Sequence, residues 1–571
     1  MGRNIRPGPS RPKAWWLSIS IFMIALLTFG TIITYSNRWP ESPIRHLFDD
    51  APSPSHSSGK GCSLNHGPAP TGSSYASGFD MTKSWAQLTP YKDADWGVPK
   101  GVPHGGKCEL SQVHILHRHA QRYPTISPLD SPNVQSFIAK LNESSGATGP
   151  LEFLNTWEYV LGMDELMRTG ASTEAASGAN FWLQYGRLLY RATPENVVAW
   201  DPALNVYPNG TTRPKPVYRT TGQSRILESA RWWLSGFFGD RGAHASYDQY
   251  DLVILPEEIL FNNTLASYYS CPGSPGDQTA GDEAARVFIS RYLKEARSRL
   301  APYLPSDFNL TTLDVLAMQT ICAYEYTSLA GSSFCGLFTE DEWKGFAYNL
   351  DLQYYGNYGF PSPVGRAQGI GYVLELAARL EQELITSSDT SVNYTYDNNI
   401  AQFPLGQPFY MDMSHDSIII SVMAALNLDY FKYPSSTGMP GNVDHPQNRT
   451  FEISNVTPFG ARLITELWTC PDDVTFDSLD PVLYTNPNLE STENTTKYIR
   501  FMLNGAPLPM TGVLGCENAT NGFCPLEKFL SGVPELKEKA NYQDACYSYW
   551  RNHTYGGGGG LEIPVDAFTL R

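Results

Sequence analysis

From about Trp85 onward, short apolar runs alternate with amphipathic stretches. Val113 and Ile115 lie in a run that predicts a buried strand. Ser131-Pro132 opens a predicted helix with Val134, Phe137, Ile138 and Leu141 on one face. Ile226, Ala230, Trp233, Leu234 and Phe237 repeat that spacing, as do Val373, Leu376, Ala377, Leu380 and Leu384. Asp251 to Leu255 reads as a strand ended by Pro256, and Phe409, Met411 and Met413 alternate as in a strand just before His415. Strands alternating with helices predict an α/β core. The stretch from about 272 to 365 lacks clear strands and predicts a helical insert. No internal repeat is visible.

The N-terminus changes the picture. Ala14 to Tyr35 carries no charge, and at about 1.5 Å rise per residue its length of roughly 33 Å suffices to cross a bilayer core. Arg3, Arg6, Arg11 and Lys13 precede it with no acid, which leaves the N-terminus cytosolic and the rest outside. The segment is longer than a cleaved signal's apolar region and no A-x-A site follows. A signal anchor, making a single-pass type II membrane protein with a lumenal or extracellular bulk, is therefore expected; secretion after cleavage is the alternative. Residues 36–84, rich in Pro, Ser and Gly, read as a flexible stalk, and Gly556 to Gly560 as a tail linker.

Composition supports a globular chain rather than a disordered one: 42% of the 571 residues are hydrophobic and 13% aromatic. That length predicts two to four structural units. The net charge of −16 leaves no basic face for phosphate backbones, so nucleic acid is excluded as a partner. Sequons at Asn142, Asn209, Asn262, Asn309, Asn393, Asn448, Asn455, Asn494, Asn518 and Asn552 predict glycosylated loops. Nine cysteines in an oxidising compartment predict disulfides with one thiol left over, and Cys62, alone in the stalk, is the orphan.

Three motifs fail. Gly101 to Lys107 has P-loop spacing, but Cys108 replaces the Ser or Thr that would bind magnesium, Pro103 interrupts it, and no apolar strand precedes. His117 and His119 share a strand face without a third metal ligand. No G-x-S-x-G elbow is present. His114 to Thr125 (HILHRHAQRYPT) is different. Arg118, His119 and Arg122 crowd together directly after an apolar strand, an arrangement that repels itself unless it holds an anion. Ligands of open α/β sheets bind at such strand ends. A histidine among arginines resists protonation and stays nucleophilic in acid.

Arg118-His119-Ala120-Gln121-Arg122-Tyr123-Pro124 resembles the R-H-x-x-R-x-P signature of histidine acid phosphatases, the clan of fungal phytases and multiple inositol polyphosphate phosphatases. His415-Asp416 resembles its second signature. Tyr218 to Arg225 (YRTTGQSR) is similar to the family's R-x-[ST]-x-x-x-R element, and Phe261 to Leu265 and Phe334 to Trp343 also resemble fungal phytases. The resemblance covers about Trp85 to Cys546. It implies a phosphoglycerate-mutase-like α/β sandwich with a smaller helical cap. It implies that His119 is the nucleophile, that Asp416 is the general acid, and that Arg118, Arg122, Arg219 and His415 hold phosphate, with no metal or other cofactor. It implies disulfides Cys108–Cys470, Cys271–Cys546, Cys322–Cys335 and Cys516–Cys524.

Two departures stand out. Ala120 replaces the family's usual glycine, which narrows the pocket or shifts the backbone if φ is positive there. Phytases of high phytate specificity carry lysines after the first motif and a Lys-Lys before Tyr-Tyr-Gly; here Ile126 to Gln135 has none, and Asp351-Leu352-Gln353 precedes Tyr354-Tyr355-Gly356. The expectation is therefore a broad-specificity acid phosphatase acting on small phosphomonoesters, with a 3-phytase as the alternative. The rival from another class is a weakened, membrane-anchored binding protein. No obligate protein partner is inferred. The expected organisation is a tail 1–13, an anchor 14–35, a stalk 36–84, the phosphatase 85–546 and a tail 547–571. Within the phosphatase, the core takes about 90–145, 210–270 and 366–546, and the cap mainly 272–365.

Overall fold

The computed structural model describes residues 78–550, apart from 104–106, 126–131, 145, 195–196, 241–244, 275–278, 434–437, 441–448 and 483–493, together with 568–570. Among these, eight strands form the main sheet: β1 (Glu109–Arg118), β2 (Val217–Thr221), β3 (Asp251–Leu255), β4 (Phe409–Ser414), β5 (Arg462–Pro471), β6 (Thr495–Leu503), and the two-residue β7 (Ala506–Pro507) and β8 (Cys524–Pro525). Their order is β8-β6-β5-β1-β4-β2-β3, with β7 on β6. The neighbours β1, β4, β2 and β3 run parallel, so their carboxyl ends share one edge of the sheet. On the other side of β1, β5 and β6 run antiparallel. β1 and β4 are buried along almost their whole length, so their polar residues, among them His114, His117, Arg118 and Asp412, are buried as well.

The main helices are α1 (Pro132–Asn142), α2 (Arg168–Phe181), α3 (Ser224–Phe238), α4 (Thr279–Tyr292), α5 (Thr312–Leu329), α6 (Glu340–Tyr358), α7 (Gly365–Glu381), α8 (Asp416–Ala425) and α9 (Leu526–Ala540). α2 and α3 cover one face of the sheet, where Trp233 and Phe237 of α3 stack on Phe409 of β4 at 5.9 and 4.8 Å between ring centres. α7, α8 and α9 pack in the apolar layer on the other face, which includes Leu463, Leu467 and Phe501. The α/β fold read from the sequence is thus present, as a sheet between two helical layers. α4, α5 and α6, from the stretch expected to form the cap, pack against one another. α5 and α6 each start with a capping box, Thr311 with Asp314 and Thr339 with Glu342, which satisfies backbone donors at both ends of the exchange.

The structure corrects several boundaries. α1 packs on α5, so the chain enters the cap before residue 145. α2 left no amphipathic trace because it is built from Gly, Ala, Ser and Thr. Those small residues let it cross α3 closely: a side-chain carbon at Gly178 would strike the Trp233 carbonyl, and one at Gly236 the Ala175 carbonyl. α7 stops at Glu381 because Gln382 adopts a left-handed φ of +62°, so Leu384 lies outside it. Met81 and Ser84 are buried, so packed structure begins before the expected end of the stalk.

All four expected disulfides are present, Cys108–Cys470, Cys271–Cys546, Cys322–Cys335 and Cys516–Cys524. Among the described residues, no helix is long and apolar enough to cross a membrane. The anchor Ala14–Tyr35, Cys62, Gly556–Gly560, Asn448 and Asn552 lie outside the described residues. Asn142, Asn209, Asn309, Asn494 and Asn518 are exposed. Asn262, Asn393 and Asn455 are half-buried and use their side-chain amides internally, donating to the Val392 carbonyl, the Asn262 carbonyl and Glu452.

Candidate active site

The shared carboxyl edge of β1, β4, β2 and β3 gathers the polar groups. Arg118 ends β1 and pairs in register with Ser414 at the end of β4. The next residue, His119, donates its backbone N–H to the Ser414 carbonyl at 3.1 Å. This places the His119 and His415 rings 6.1 Å apart, edge to face. His119 Nδ1 lies 2.8 Å from the Ala120 carbonyl. A carbonyl only accepts, so Nδ1 carries the proton and Nε2 presents its lone pair. Burial, then the charges of Arg118, Arg225, Arg122 and His415, hold the imidazole well below its ordinary pKa. His119 is therefore a neutral imidazole in acid, with the Nε2 lone pair open to the pocket.

His415 caps α8, and Asp416 is its first residue. One Asp416 oxygen accepts the Ser417 backbone N–H at 2.8 Å, and the other pairs with Arg118 Nη2 at 2.8 Å. Burial would raise this carboxyl's pKa, but Arg118, Arg122, His415 and the Ser417 N–H together lower it. His415 Nε2 faces Glu257 Oε1 at 2.9 Å and the Tyr268 hydroxyl at 3.0 Å. Glu257 also accepts from Thr221 at the end of β2. Burial works against its charge, yet His415, Thr221 and Arg225 outweigh that and keep Glu257 ionised. An ionised carboxylate only accepts, so Nε2 of His415 holds a proton directed at Glu257. Glu257 thereby fixes the ring.

Two expected phosphate ligands are placed elsewhere. Arg118 is fully buried behind the site: besides Asp416, it donates from Nη1 to the carbonyls of Gln87 (2.6 Å) and Thr457 (2.7 Å), and it lies over the Phe459 ring. It acts through Asp416 and does not line the pocket. Arg219 is farther off. It sits in the interior of β2 and spends its guanidinium on Asp412 (2.7 Å), Glu375 (2.5 Å) and Asp397 (3.5 Å), a buried cluster that Arg379 also joins. The residue that reaches the site is Arg225, on the first turn of α3, six residues on in the same motif. It was detectable as the arginine placed after the strand-ending turn Gly222-Gln223-Ser224 rather than inside the strand.

The pocket has a volume of about 1020 Å³. Its inner end holds His119, Arg122, Arg225, His415 and Asp416, and its outer wall comes from α4, α5 and α6. Arg122 is steadied by the Tyr324 hydroxyl of α5 at 2.9 Å, and Arg225 lies 3.4 Å from Asp164. Arg122 stands among the charges that depress Arg225, so the two cations repel one another. Ala120 is buried without a positive φ, so its methyl imposes no left-handed strain. Leu352 does not face the pocket: it is fully buried beside Phe288 and Tyr348, whereas its neighbour Gln353 does line it.

A family model for the histidine phosphatase superfamily (branch 2) matches residues 109–504, more than half the chain. The chain belongs to that superfamily. Phytase A of Emericella nidulans is 29% identical over 481 residues, covering 82% of this chain and 91% of that protein. Phytase A of Aspergillus awamori is 30% identical over 465 residues, covering 79% and 87%. The crystal structure of a phytase from D. castellii shares the fold, with a TM-score of 0.60 at 20% identity over 82% of this chain and 88% of that one. This histidine phosphatase is a phosphomonoester hydrolase.

Proposed function

We propose that the chain is a phytase-type enzyme that removes phosphate from phosphorylated inositols in an acidic compartment outside the cytosol. The supporting observation is one juxtaposition: His119, Arg122, Arg225, His415 and Asp416 meet beneath a cavity of about 1020 Å³, in a chain whose phytase relatives span about four-fifths of it. The four disulfides fit an oxidising lumen, which the anchor Ala14–Tyr35 would place the enzyme against.

Nε2 of His119 attacks phosphorus as the ester P–O bond breaks, giving a phosphohistidine. Arg122 and Arg225 spread the charge on the non-bridging oxygens. Asp416 relays a proton to the departing oxygen. Water then breaks the N–P bond, with Asp416 taking its proton. Because Arg118 keeps Asp416 ionised in the free enzyme, the relayed proton arrives with the substrate as a phosphate monoanion.

A broad-specificity acid phosphatase is the second reading, favoured by the lack of any lysine among the described pocket-lining residues. Phosphate release from phytate and from an aryl phosphate, compared across pH 3 to 8, separates the two. The phytase reading expects release from both. Release from the aryl ester alone would leave only the broader enzyme. His119→Ala should abolish both activities with the circular dichroism of the folded state intact.

A further inference from the structure

We infer that the pocket selects inositol esters of low charge, and that Asp282 is the residue that turns highly phosphorylated ones away. This rests on the inositol reading above. At the inner end the cations are Arg122 and Arg225, and there Arg225 faces Asp164. On the outer wall the charges are Asp282 and Arg286, one turn apart on α4. Arg286 is already 3.5 Å from Glu283. Asp282 is held in place, its Oδ1 accepting from Gln353 Nε2 at 2.8 Å and Asn357 Nδ2 at 3.0 Å. The backbone beneath it is equally constrained. α4 and α6 touch at Gly281 and Gly356, where a side-chain carbon on either would strike the other helix. Asp282 therefore cannot swing away from an incoming anion without breaking two hydrogen bonds from side-chain amides.

The rest of that wall is apolar or neutral, with Ala285, Ile289 and Leu316 among its lining residues. The chain segments 126–131 and 275–278, next in sequence to lining residues, contribute no lysine or arginine. A hexakisphosphate with one phosphate at His119 must bring five more into a wall with no net cation. Anions brought into a partly desolvated cleft without partners are costly, and a fixed carboxylate adds repulsion. An inositol monophosphate presents hydroxyls instead, which the amides of Gln353 and Asn349 can meet.

The test compares kcat/KM of the full chain at pH 5 and low salt for myo-inositol hexakisphosphate and a myo-inositol monophosphate. The monophosphate should be favoured by about tenfold or more, since like-charge contacts cost several kcal/mol. Asp282→Asn should shift the ratio about fivefold toward hexakisphosphate, a gain that fades as salt rises, while Asp282→Glu keeps the original preference. Equal or better use of hexakisphosphate by the unaltered chain would overturn the inference and leave the inositol reading standing. An unmoved ratio in Asp282→Asn would overturn Asp282's part. Cleavage of an aryl phosphate but of neither inositol ester would overturn the inositol reading and this inference with it.

Discussion

Arg219 and Arg225 belong to one motif, yet their surroundings give them opposite work. Arg225 lines the pocket and pairs with Asp164 at 3.4 Å. Arg225→Met should therefore cost phosphate affinity, seen as a rise of roughly 10- to 150-fold in KM and in the inhibition constant for inorganic phosphate, the size of one lost charge-assisted hydrogen bond of about 1.5–3 kcal/mol. Arg219→Met instead leaves Asp412, Glu375 and Asp397 facing one another around a lost cation, a loss of about 3–5 kcal/mol in stability. Melting temperature should fall sharply in that variant and hardly in the first. The reverse pattern would restore Arg219 as the phosphate ligand. Spacing alone could not separate them, because the motif names both arginines and only burial tells which one the strand encloses. His119, Arg122, His415 and Asp416 were legible because their signatures coincide with strand ends, where side chains leave the sheet. Asp416 carries a second prediction. With its carboxyl held low by Arg118, the alkaline limb of the rate profile should follow the ester's second ionisation, near pH 6. An ester with a lower second pKa should move that limb down by the same amount. A limb that ignores the substrate would place the proton on the enzyme. Asp416→Asn should slow alkyl esters far more than aryl ones, whose leaving group needs less help.

Among elements, α5 links packing to catalysis. It presents Leu313, Leu316 and Thr320 to the pocket, and its Tyr324 hydroxyl steadies Arg122. Its middle is tied by Cys322–Cys335, which closes a loop of 13 residues. In the chain-entropy view, opening a loop of that size costs about 3 kcal/mol. Cys322→Ser with Cys335→Ser should lower the melting temperature and also raise KM, because a looser α5 no longer positions Arg122. A variant that melts earlier but keeps its KM would uncouple the cap from the site. Elements with a strong period were readable in advance: α3, β3 and β4 lie where the apolar spacing put them, and α7 does so except at Leu384, past the left-handed Gln382. α2 was not, since its contact with α3 runs through Gly178 and Gly236, and an interface of small residues has no hydrophobic period. Gln353 and Leu352 make the same point within one helix. Leu352 lies four residues after Tyr348, on the same inward face, while Gln353 is rotated about 100° toward the pocket.

For the whole molecule, buried titratable groups set how stability follows pH. His114, His117 and His119 are buried neutral; burial drives His117 down to about 3 and the other two well below their ordinary value. Below pH 6.5 the unfolded chain binds protons that these histidines refuse, so each withdraws about 1.4 kcal/mol of stability per pH unit as acid is added. Three carboxyls act in the opposite sense. Burial pushes Asp351 up to about 6, and burial with the neighbouring Glu375 pushes Asp397 up to about 9; burial holds Glu174 well above its ordinary value. Above its unfolded pKa, each keeps a proton that the unfolded chain releases, so each adds stability as pH falls toward about 4. Three groups of each sign nearly cancel between roughly pH 4.5 and 6, and a flat stability plateau should span that range. Below it the carboxyl gains are exhausted. The histidines are then joined by Asp412, Asp416 and Glu257, whose carboxyls are all held low in the fold, and stability should drop steeply. Above pH 6.5 the histidine contribution ends while Asp397 and Glu174 continue to lose, and the chain's excess of acidic over basic residues, 57 against 41, adds repulsion. Melting temperatures measured from pH 3 to 9 should thus peak in mild acid, where the proposed phosphatase works. Asp397→Asn, which cannot ionise in either state, should soften the alkaline decline while leaving the acid limb in place. A melting temperature that climbs from pH 6.5 to 9 would mean that these carboxyls are ionised in the folded protein after all.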